Sequence, residues 1–409
     1  MSNPIKLHPP LVKGVITSLR EIFQENRYAD KVIQFQLKSN PKWGSRDRAF
    51  IAENVYEIVR WWRLLRKIDA RRWENNGQGS DDDFTRILGI NLILKGFKLP
   101  AWEAFKDLHP KSIFLKKEKL QNERKIAQSI PDWLDELGER ELGNNWDEEI
   151  NALNKMADVV LRTNTLNTNK YQLKKMLQKS GWETTSSPTA PNALMLKKRG
   201  NVFSSPFFKK GLFEVQDAGS QQIAPYLMVE PGMRVIDACA GAGGKTLHLA
   251  ALMENKGQII ALDTAEWKLK ELKRRAKRNG IHIIETRTIK SSKVVKRLAE
   301  SADRLLLDVP CSGLGVLRRN PDAKWKLSPE FIERLKNTQA DILQRYSQML
   351  KPDGLMVYAT CSILPSENEQ QVGRFLENNK EFELMAELTI SPAKYNCDGF
   401  YMARLKRGH

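Results

Sequence analysis

A chain of 409 residues is long enough for two or three domains, and 41% hydrophobic residues can supply their cores. No apolar run reaches the roughly 18 residues of a membrane span. The opening Met1-Ser2-Asn3-Pro4-Ile5-Lys6 has neither the charged nor the apolar region of a secretory signal, so a cytoplasmic protein is expected. Four cysteines without CxxC or histidine-rich spacing argue for reduced thiols and against a metal centre. The formal charge of +18 points to a polyanionic partner, nucleic acid first.

Residues 1–130 read as helical. Leu11, Ile16, Leu19, Ile22 and Phe23 recur at helical spacing, and Ile51, Val55, Ile58 and Val59 form one apolar stripe on a second helix, with Ser45 as its expected N-cap. The polar stretch Asn75-Asn76-Gly77-Gln78-Gly79-Ser80-Asp81-Asp82-Asp83 reads as a loop or a helix boundary. No catalytic constellation occurs in this region. Residues 131–215 read as a small α+β module. A helix near 147–158 leads into an extended run, Val159–Leu166, and Ser, Pro and Asn punctuate 186–192. The basic patches Lys197-Lys198-Arg199 and Lys209-Lys210 suit either RNA contact or a solvated face.

From Gly232 onward, strands and helices alternate. The expected strands are Arg234–Asp237, Gln258–Asp263, Ile281–Glu285, Arg304–Asp308 and Leu355–Thr360. Helices are expected over Thr246–Met253, Ala265–Asn279 and Pro329–Leu350. This rhythm predicts a parallel sheet covered on both faces.

Three phrases at strand ends carry chemistry. In the first, Asp237-Ala238-Cys239-Ala240-Gly241-Ala242-Gly243-Gly244-Lys245-Thr246, glycines let backbone approach a ligand closely at a helix N-terminus. It is not a Walker A loop, because Cys239 stands where that motif needs its first glycine. It is not a dinucleotide fingerprint either, because Thr246 stands where the third glycine belongs. Asp263, at the next strand end, suits two ribose hydroxyls or a helix N-cap. The other phrases are Asp308-Val309-Pro310-Cys311-Ser312-Gly313 and Tyr358-Ala359-Thr360-Cys361-Ser362. A thiolate adding to C6 of cytosine makes C5 enamine-like, able to take an electrophilic methyl group. A free thiol is only about 3% ionised at neutral pH, so such a site should favour the thiolate, with Lys245 a candidate helper and Asp308 a candidate acid at N3. This chemistry leaves open which cysteine attacks. Cys239 and Cys397 read as small buried hydrophobes. Arg318-Arg319-Asn320-Pro321-Asp322-Ala323-Lys324-Trp325 suits phosphate contact and base stacking, or a packed loop.

These phrases together resemble the NOL1/NOP2/Sun family of RNA cytosine-C5 methyltransferases, in its bacterial RsmB (Fmu, Sun) branch. The resemblance runs close to full length. It includes Arg46-Asp47-Arg48 through Arg60, Ile130-Pro131-Asp132-Trp133-Leu134, Leu161-Arg162-Thr163-Asn164, Gln216-Asp217-Ala218-Gly219-Ser220, Asn320-Pro321-Asp322 and Asp398-Gly399-Phe400-Tyr401. It implies three domains: an all-α NusB-like RNA-binding domain over 1–130, an α+β linker and RNA-binding subdomain over 131–215, and an α/β Rossmann-like class I methyltransferase domain over 216–409. It further implies Cys361 as the nucleophile, Cys311 assisting release of methylated RNA, and Asp308 and Lys245 at the target cytosine. S-adenosylmethionine would be held by Cys239, Ala240, Gly241, Ala242, Gly243, Gly244, Lys245, Asp263 and Asp308.

The glycine loop departs from the family's Cys-Ala-Ala-Pro-Gly-Gly-Lys at Gly241 and Ala242, and Lys268 stands where an arginine often follows the ribose acid. The family's adenine-contacting acid after the third strand is missing from Thr286-Arg287-Thr288-Ile289-Lys290. The expected activity is S-adenosylmethionine-dependent cytosine-C5 methylation of 16S rRNA by a cytoplasmic monomer that uses no metal and no membrane. The alternative is a catalytically weak, RNA-binding ribosome-assembly factor of the same family. A base-nitrogen or protein methyltransferase would not need two thiols, and a DNA cytosine methyltransferase would not need Cys361.

Overall fold

The computed structural model describes residues 7–71 and 79–408. Asn75–Gln78 of the expected loop lie outside the described residues, and the part after them opens a helix, Asp81–Leu94. Ser80 caps that helix through the Asp83 N–H at 3.3 Å, and the Asp83 carboxylate accepts from the Ser80 N–H at 2.8 Å. The chain divides into two compact units. One runs to Asn154 and also contains Arg319–Ser328; the other comprises Lys155–Arg318 and Pro329–His409.

The first unit is helical among its described residues. Helices Pro9–Phe23, Ala29–Ser39, Ser45–Arg60, Trp62–Asp69 and Asp81–Leu94 bury Leu19, Ile51, Ile58, Leu65 and Phe84 in one core. The apolar stripe Ile51, Val55, Ile58 and Val59 faces inward as its spacing predicts. The cap differs by one residue: Ser45 is already helical, Gly44 precedes it in extended backbone, and the Gly44 N–H donates to Asp47 at 3.0 Å. The segment Arg319–Ser328 belongs to this unit. Lys324 is 1% exposed. Its Nζ donates to the Arg60 carbonyl at 2.8 Å and to Asn154 Oδ1 at 3.1 Å, and burial pushes its ammonium well below the usual range. Trp325 Nε1 donates to the Val59 carbonyl at 2.7 Å, and Asp322 accepts from Ala29 N at 2.9 Å. The arginines and tryptophan of this stretch suited RNA contact or a packed loop; packing accounts for Asp322, Lys324 and the Trp325 indole N–H.

The second unit contains two sheets. Strands β1 (Val160–Thr163), β2 (Thr184–Ser186), β3 (Ala193–Leu196) and β4 (Phe213–Val215) form an antiparallel sheet in the order β2-β3-β1-β4, with helix Lys170–Lys179 packed on it. The helix expected over 147–158 stops at Leu153. The larger sheet contains β5 (Arg234–Asp237), β6 (Gln258–Asp263), β7 (Ile284–Thr288), β8 (Ala302–Asp308), β9 (Leu350–Thr360), β10 (Phe382–Ile390) and β11 (Phe400–Arg407). Its order is β10-β11-β9-β8-β5-β6-β7. The five strands from β9 to β7 are parallel, but β11 runs antiparallel to β9 and β10 antiparallel to β11, so the sheet is mixed where a parallel one was expected.

Alternate residues of the parallel strands enter two cores, as continuous apolar strands in a doubly covered sheet must. Ile236, Ile260, Leu305, Leu307 and Tyr358 face one side with Ile342 and Leu343 of helix Pro329–Tyr346. Val235, Ile259, Leu306 and Val357 face the other with Leu247 and Leu249 of helix Gly244–Leu252. The third parallel strand begins at Ile284 rather than Ile281. Gly280 takes a left-handed turn (φ +71°), and Ile281 N then closes the helix end on the Ala276 carbonyl at 3.0 Å. No helix among the described residues is long and apolar enough to cross a membrane.

Candidate active site

The chain runs outward from β5 through β6 to β7 and then crosses back to β8 on the other side of β5, and a ligand site belongs at the carboxyl ends of strands beside such a reversal. The glycine loop follows β5 there. Gly241 (φ +54°) and Gly243 (φ +86°) both take the left-handed conformation that side chains resist. A Cβ on Gly243 would lie 2.5 Å from Leu272 Cγ, whereas a Cβ on Gly241 would enter open space. Hydrogen bonds fix the loop from three sides. Ala240 N donates to the Leu262 carbonyl at 2.9 Å, Gly241 N to Asp263 Oδ2 at 2.9 Å, and Arg275 Nη1 to the Ala242 carbonyl at 2.7 Å.

Asp263 does not cap the next helix, whose N-cap is Ala265. Its Oδ1 accepts from Ala265 N at 2.7 Å at the start of the next helix, and its Oδ2 binds the loop. Each carboxylate oxygen can accept a further hydrogen bond, so ribose hydroxyls remain compatible with it. The open space at Gly241 and Gly244 is also what a cofactor cradle requires. No acid follows β7: residues 286–288 are strand, and the turn is Ile289-Lys290-Ser291-Ser292, so a carboxylate for an adenine amine is absent there. Behind the loop, Asp237 is buried and accepts from Thr246 Oγ1 at 2.7 Å; burial pushes its carboxyl up to about 7 against that hydrogen bond. Cys239 is pushed well above the usual thiol range by burial and by Asp237, and Cys397 up to about 12 by burial. These two thiols stay neutral, as packing residues should.

The second and third phrases meet on adjacent parallel strands. Asp308 at the end of β8 is paired with Ala359 of β9. Just beyond, Cys311 Sγ lies 3.1 Å from Cys361 Sγ and accepts from Cys361 N at 3.2 Å. The Cys311 thiol is held well above its usual range, first by its hydrogen bond to Cys361 and then by burial. Lys245 Nζ reaches Asp308 Oδ2 at 2.6 Å and sits 5.8 Å from the Phe400 ring centroid. Burial works against the Lys245 ammonium, but Asp308 and then Cys361 more than offset it and raise its pKa.

Lys245, Asp308, Cys311 and Cys361 thus form one group, and Asp263 with Gly241 an adjoining one, while Ala240 and Ala242 contribute backbone atoms. Sequence reasoning missed Arg275, Phe400, Gln339 and above all Glu367, which is fully buried between the two cysteine phrases. One signal was present: each cysteine is followed by a serine, Ser312 and Ser362, and both serines bind Glu367.

A mixed seven-stranded sheet in this order, with a glycine loop after β5 and an acid ending β6, defines a Rossmann-like methyltransferase domain. Residues 224–406 match the family of 16S rRNA methyltransferases RsmB/F, and residues 130–203 match the ferredoxin-like domain of RsmF/B-like methyltransferases. The chain is 32% identical over 435 aligned positions to a probable ribosomal RNA small subunit methyltransferase B of Synechocystis sp., covering 95% of this chain and 97% of that protein. It is 36% identical to ribosomal RNA small subunit methyltransferase B of Klebsiella pneumoniae subsp. pneumoniae, covering 89% and 91%. A solved methyltransferase homolog protein from Pyrococcus horikoshii superposes with a TM-score of 0.62 at 27% identity, over 69% of this chain and 97% of that one. The chain belongs to the RsmB/F family of 16S rRNA methyltransferases and is an enzyme of that family.

Proposed function

We propose that the protein methylates C5 of a cytosine in 16S rRNA, with S-adenosylmethionine as donor and Cys361 as nucleophile. The reading is carried by the thiol pair: two sulfurs 3.1 Å apart beyond adjacent parallel strands, with an ammonium–carboxylate pair at the end of the same strand β8. Cytosine C5 is a poor nucleophile. Once the target base is unstacked, the Cys361 thiolate adds to C6, a donor at N3 stabilises the ring, and C5 becomes the nucleophile. S-adenosylmethionine, when bound, supplies an electrophilic methyl group. Loss of the C5 proton then expels Cys361 as thiolate.

The arrangement supports a division of labour between the sulfurs. The hydrogen bond to Cys361 and burial hold the Cys311 thiol well above its usual range, so Cys311 keeps its proton while Cys361 attacks as the thiolate. Lys245, kept cationic by Asp308, stabilises that charge. The Lys245–Asp308 pair serves N3, and Cys311 serves the release step. For the cofactor, the backbone of Cys239 through Gly244 cradles the methionine end, Asp263 holds the ribose, and Lys245 and Asp308 border the transferred methyl. Residues 1–130 act as a NusB-like grip on structured rRNA, 131–215 as a second RNA-binding subdomain and 216–409 as the catalytic domain, in a cytoplasmic monomer.

The test is nucleoside mass spectrometry of unmodified small-subunit rRNA incubated with the protein and S-adenosylmethionine, with Cys361→Ala alongside. New 5-methylcytidine with the wild type alone is expected. Product from both proteins removes Cys361 from its role, and product from neither turns the reading to an RNA-binding assembly factor.

A further inference from the structure

We infer that Glu367 is a positioning residue that clamps the two cysteine loops together and sets the separation of their sulfurs; this rests on reading the two thiols as the reacting pair. Glu367 ends a short turn, Pro365–Glu367, and is 0% exposed. Its carboxylate accepts four hydrogen bonds. Oε1 takes Ser312 N and Gln339 Nε2, both at 2.9 Å, and Oε2 takes Ser312 Oγ and Ser362 Oγ, both at 2.5 Å. Ser312 directly follows Cys311 and Ser362 directly follows Cys361, so one carboxylate grips the residue immediately beyond each thiol. The serine hydroxyls also lie 3.2 Å from each other, and Gln339 Nε2 reaches the Pro310 carbonyl at 3.0 Å, which ties the same loop to helix Pro329–Tyr346.

Burying a charge is costly unless its hydrogen-bonding capacity is filled. Among the described residues no cation pairs with Glu367, and its four donors come from three separate segments. An apolar side chain could fill this volume at lower cost. What the carboxylate adds is two acceptor oxygens, Oε2 for both hydroxyls and Oε1 for Ser312 N and Gln339 Nε2, which an amide cannot copy, because its nitrogen is a donor and would face one of these donor pairs.

The test compares Glu367→Gln with the wild type on two readouts. The first needs neither RNA nor cofactor: the rate at which diamide couples Cys311 to Cys361, mapped by peptide mass. The two thiols lose two protons and two electrons to diamide, which becomes the hydrazine as the S–S bond forms. The second is kcat for methyl transfer set beside the dissociation constants for S-adenosylmethionine and RNA. Misplacement of reacting groups by about 1 Å can cost on the order of a hundredfold in rate. Slower coupling and a fall in kcat of that order, with both dissociation constants unchanged, are expected. Coupling as fast as in the wild type, or faster, overturns the clamp. If thermal unfolding shows that Glu367→Gln does not fold, Gln339→Ala replaces it; that variant removes one donor to Glu367 and the tie to Pro310, and should slow coupling in the same direction. If the wild type makes no 5-methylcytidine, the coupling rate still judges the clamp, and only the cytosine reading is lost.

Discussion

Gly241 and Gly243 share a left-handed backbone but have different surroundings, and substituting each by alanine separates stability from cofactor binding. A non-glycine residue in that conformation costs roughly 1–2 kcal/mol. Gly241→Ala adds little else, because its new Cβ meets nothing within 4 Å. Gly243→Ala drives its Cβ to 2.5 Å from Leu272 Cγ and 3.0 Å from Leu272 Cδ1, and Leu272 is fully buried. Such overpacking costs about 1–3 kcal/mol more, so the total is about 2–5 kcal/mol. For a folding unit of 150–250 residues each kcal/mol shifts Tm by about 2–4 °C. Calorimetry should therefore show a loss of about 4–20 °C for Gly243→Ala and about 2–8 °C for Gly241→Ala. Titration with S-adenosylmethionine should rank them the other way per degree lost, because the Gly241 methyl enters the space assigned to the cofactor. Finding Gly243→Ala as stable as Gly241→Ala would refute the packing of this loop against Leu272.

Cys311→Ala should let the adduct form and block its release, giving a protein–RNA band that survives denaturing electrophoresis; no such band argues against the release role. Arg275→Lys keeps the charge near Glu214 but loses the fork that holds Glu214 at 2.9 Å and the Ala242 carbonyl at 2.7 Å. Loss of about 1 kcal/mol should weaken S-adenosylmethionine binding about fivefold in calorimetry, and unchanged affinity would show that the loop holds itself. Asp237 holds its proton to about 7 when folded, against about 3.9 for an unfolded aspartate. Its stabilising contribution is therefore full below the unfolded value and is lost as pH rises towards 7. Asp237→Asn has no such loss and should gain on the wild type between urea unfolding at pH 5 and at pH 8; a constant difference across that range would mean that Asp237 does not titrate there.

Much of the catalytic sheet was legible in the chain. Arg234–Asp237 and Gln258–Asp263 coincide with β5 and β6, because buried parallel strands are short, continuous apolar runs. The edge strand β10 escaped notice because Glu383, Glu387 and exposed Leu384 and Met385 break its alternation, and the third strand was placed early because Ile281 is apolar for the sake of a helix end. At the site, Cys311, Cys361 and Asp308 could be found because they end or closely follow strand-like runs, and Lys245 because it closes the glycine loop that follows one. Glu367 could not, since a glutamate near a turn looks like any solvated acid; its role depends on two serines and a glutamine brought to it by three different segments.

Trp325 and Lys324 have a consequence for synthesis. The helical unit encloses carbonyls of Val59 and Arg60 whose donors lie on Arg319–Ser328, 266 and 264 residues further along the chain. At about 5–20 residues per second, a ribosome finishes Asn154 roughly ten to thirty seconds before it delivers those donors. During that interval the nascent helices hold a groove lacking its indole and its ammonium, exposed to water or to a chaperone. A chain ending at Asn154 would keep that groove open for good. The N-terminal portion of this protein is thus first to be translated and among the last to be completed.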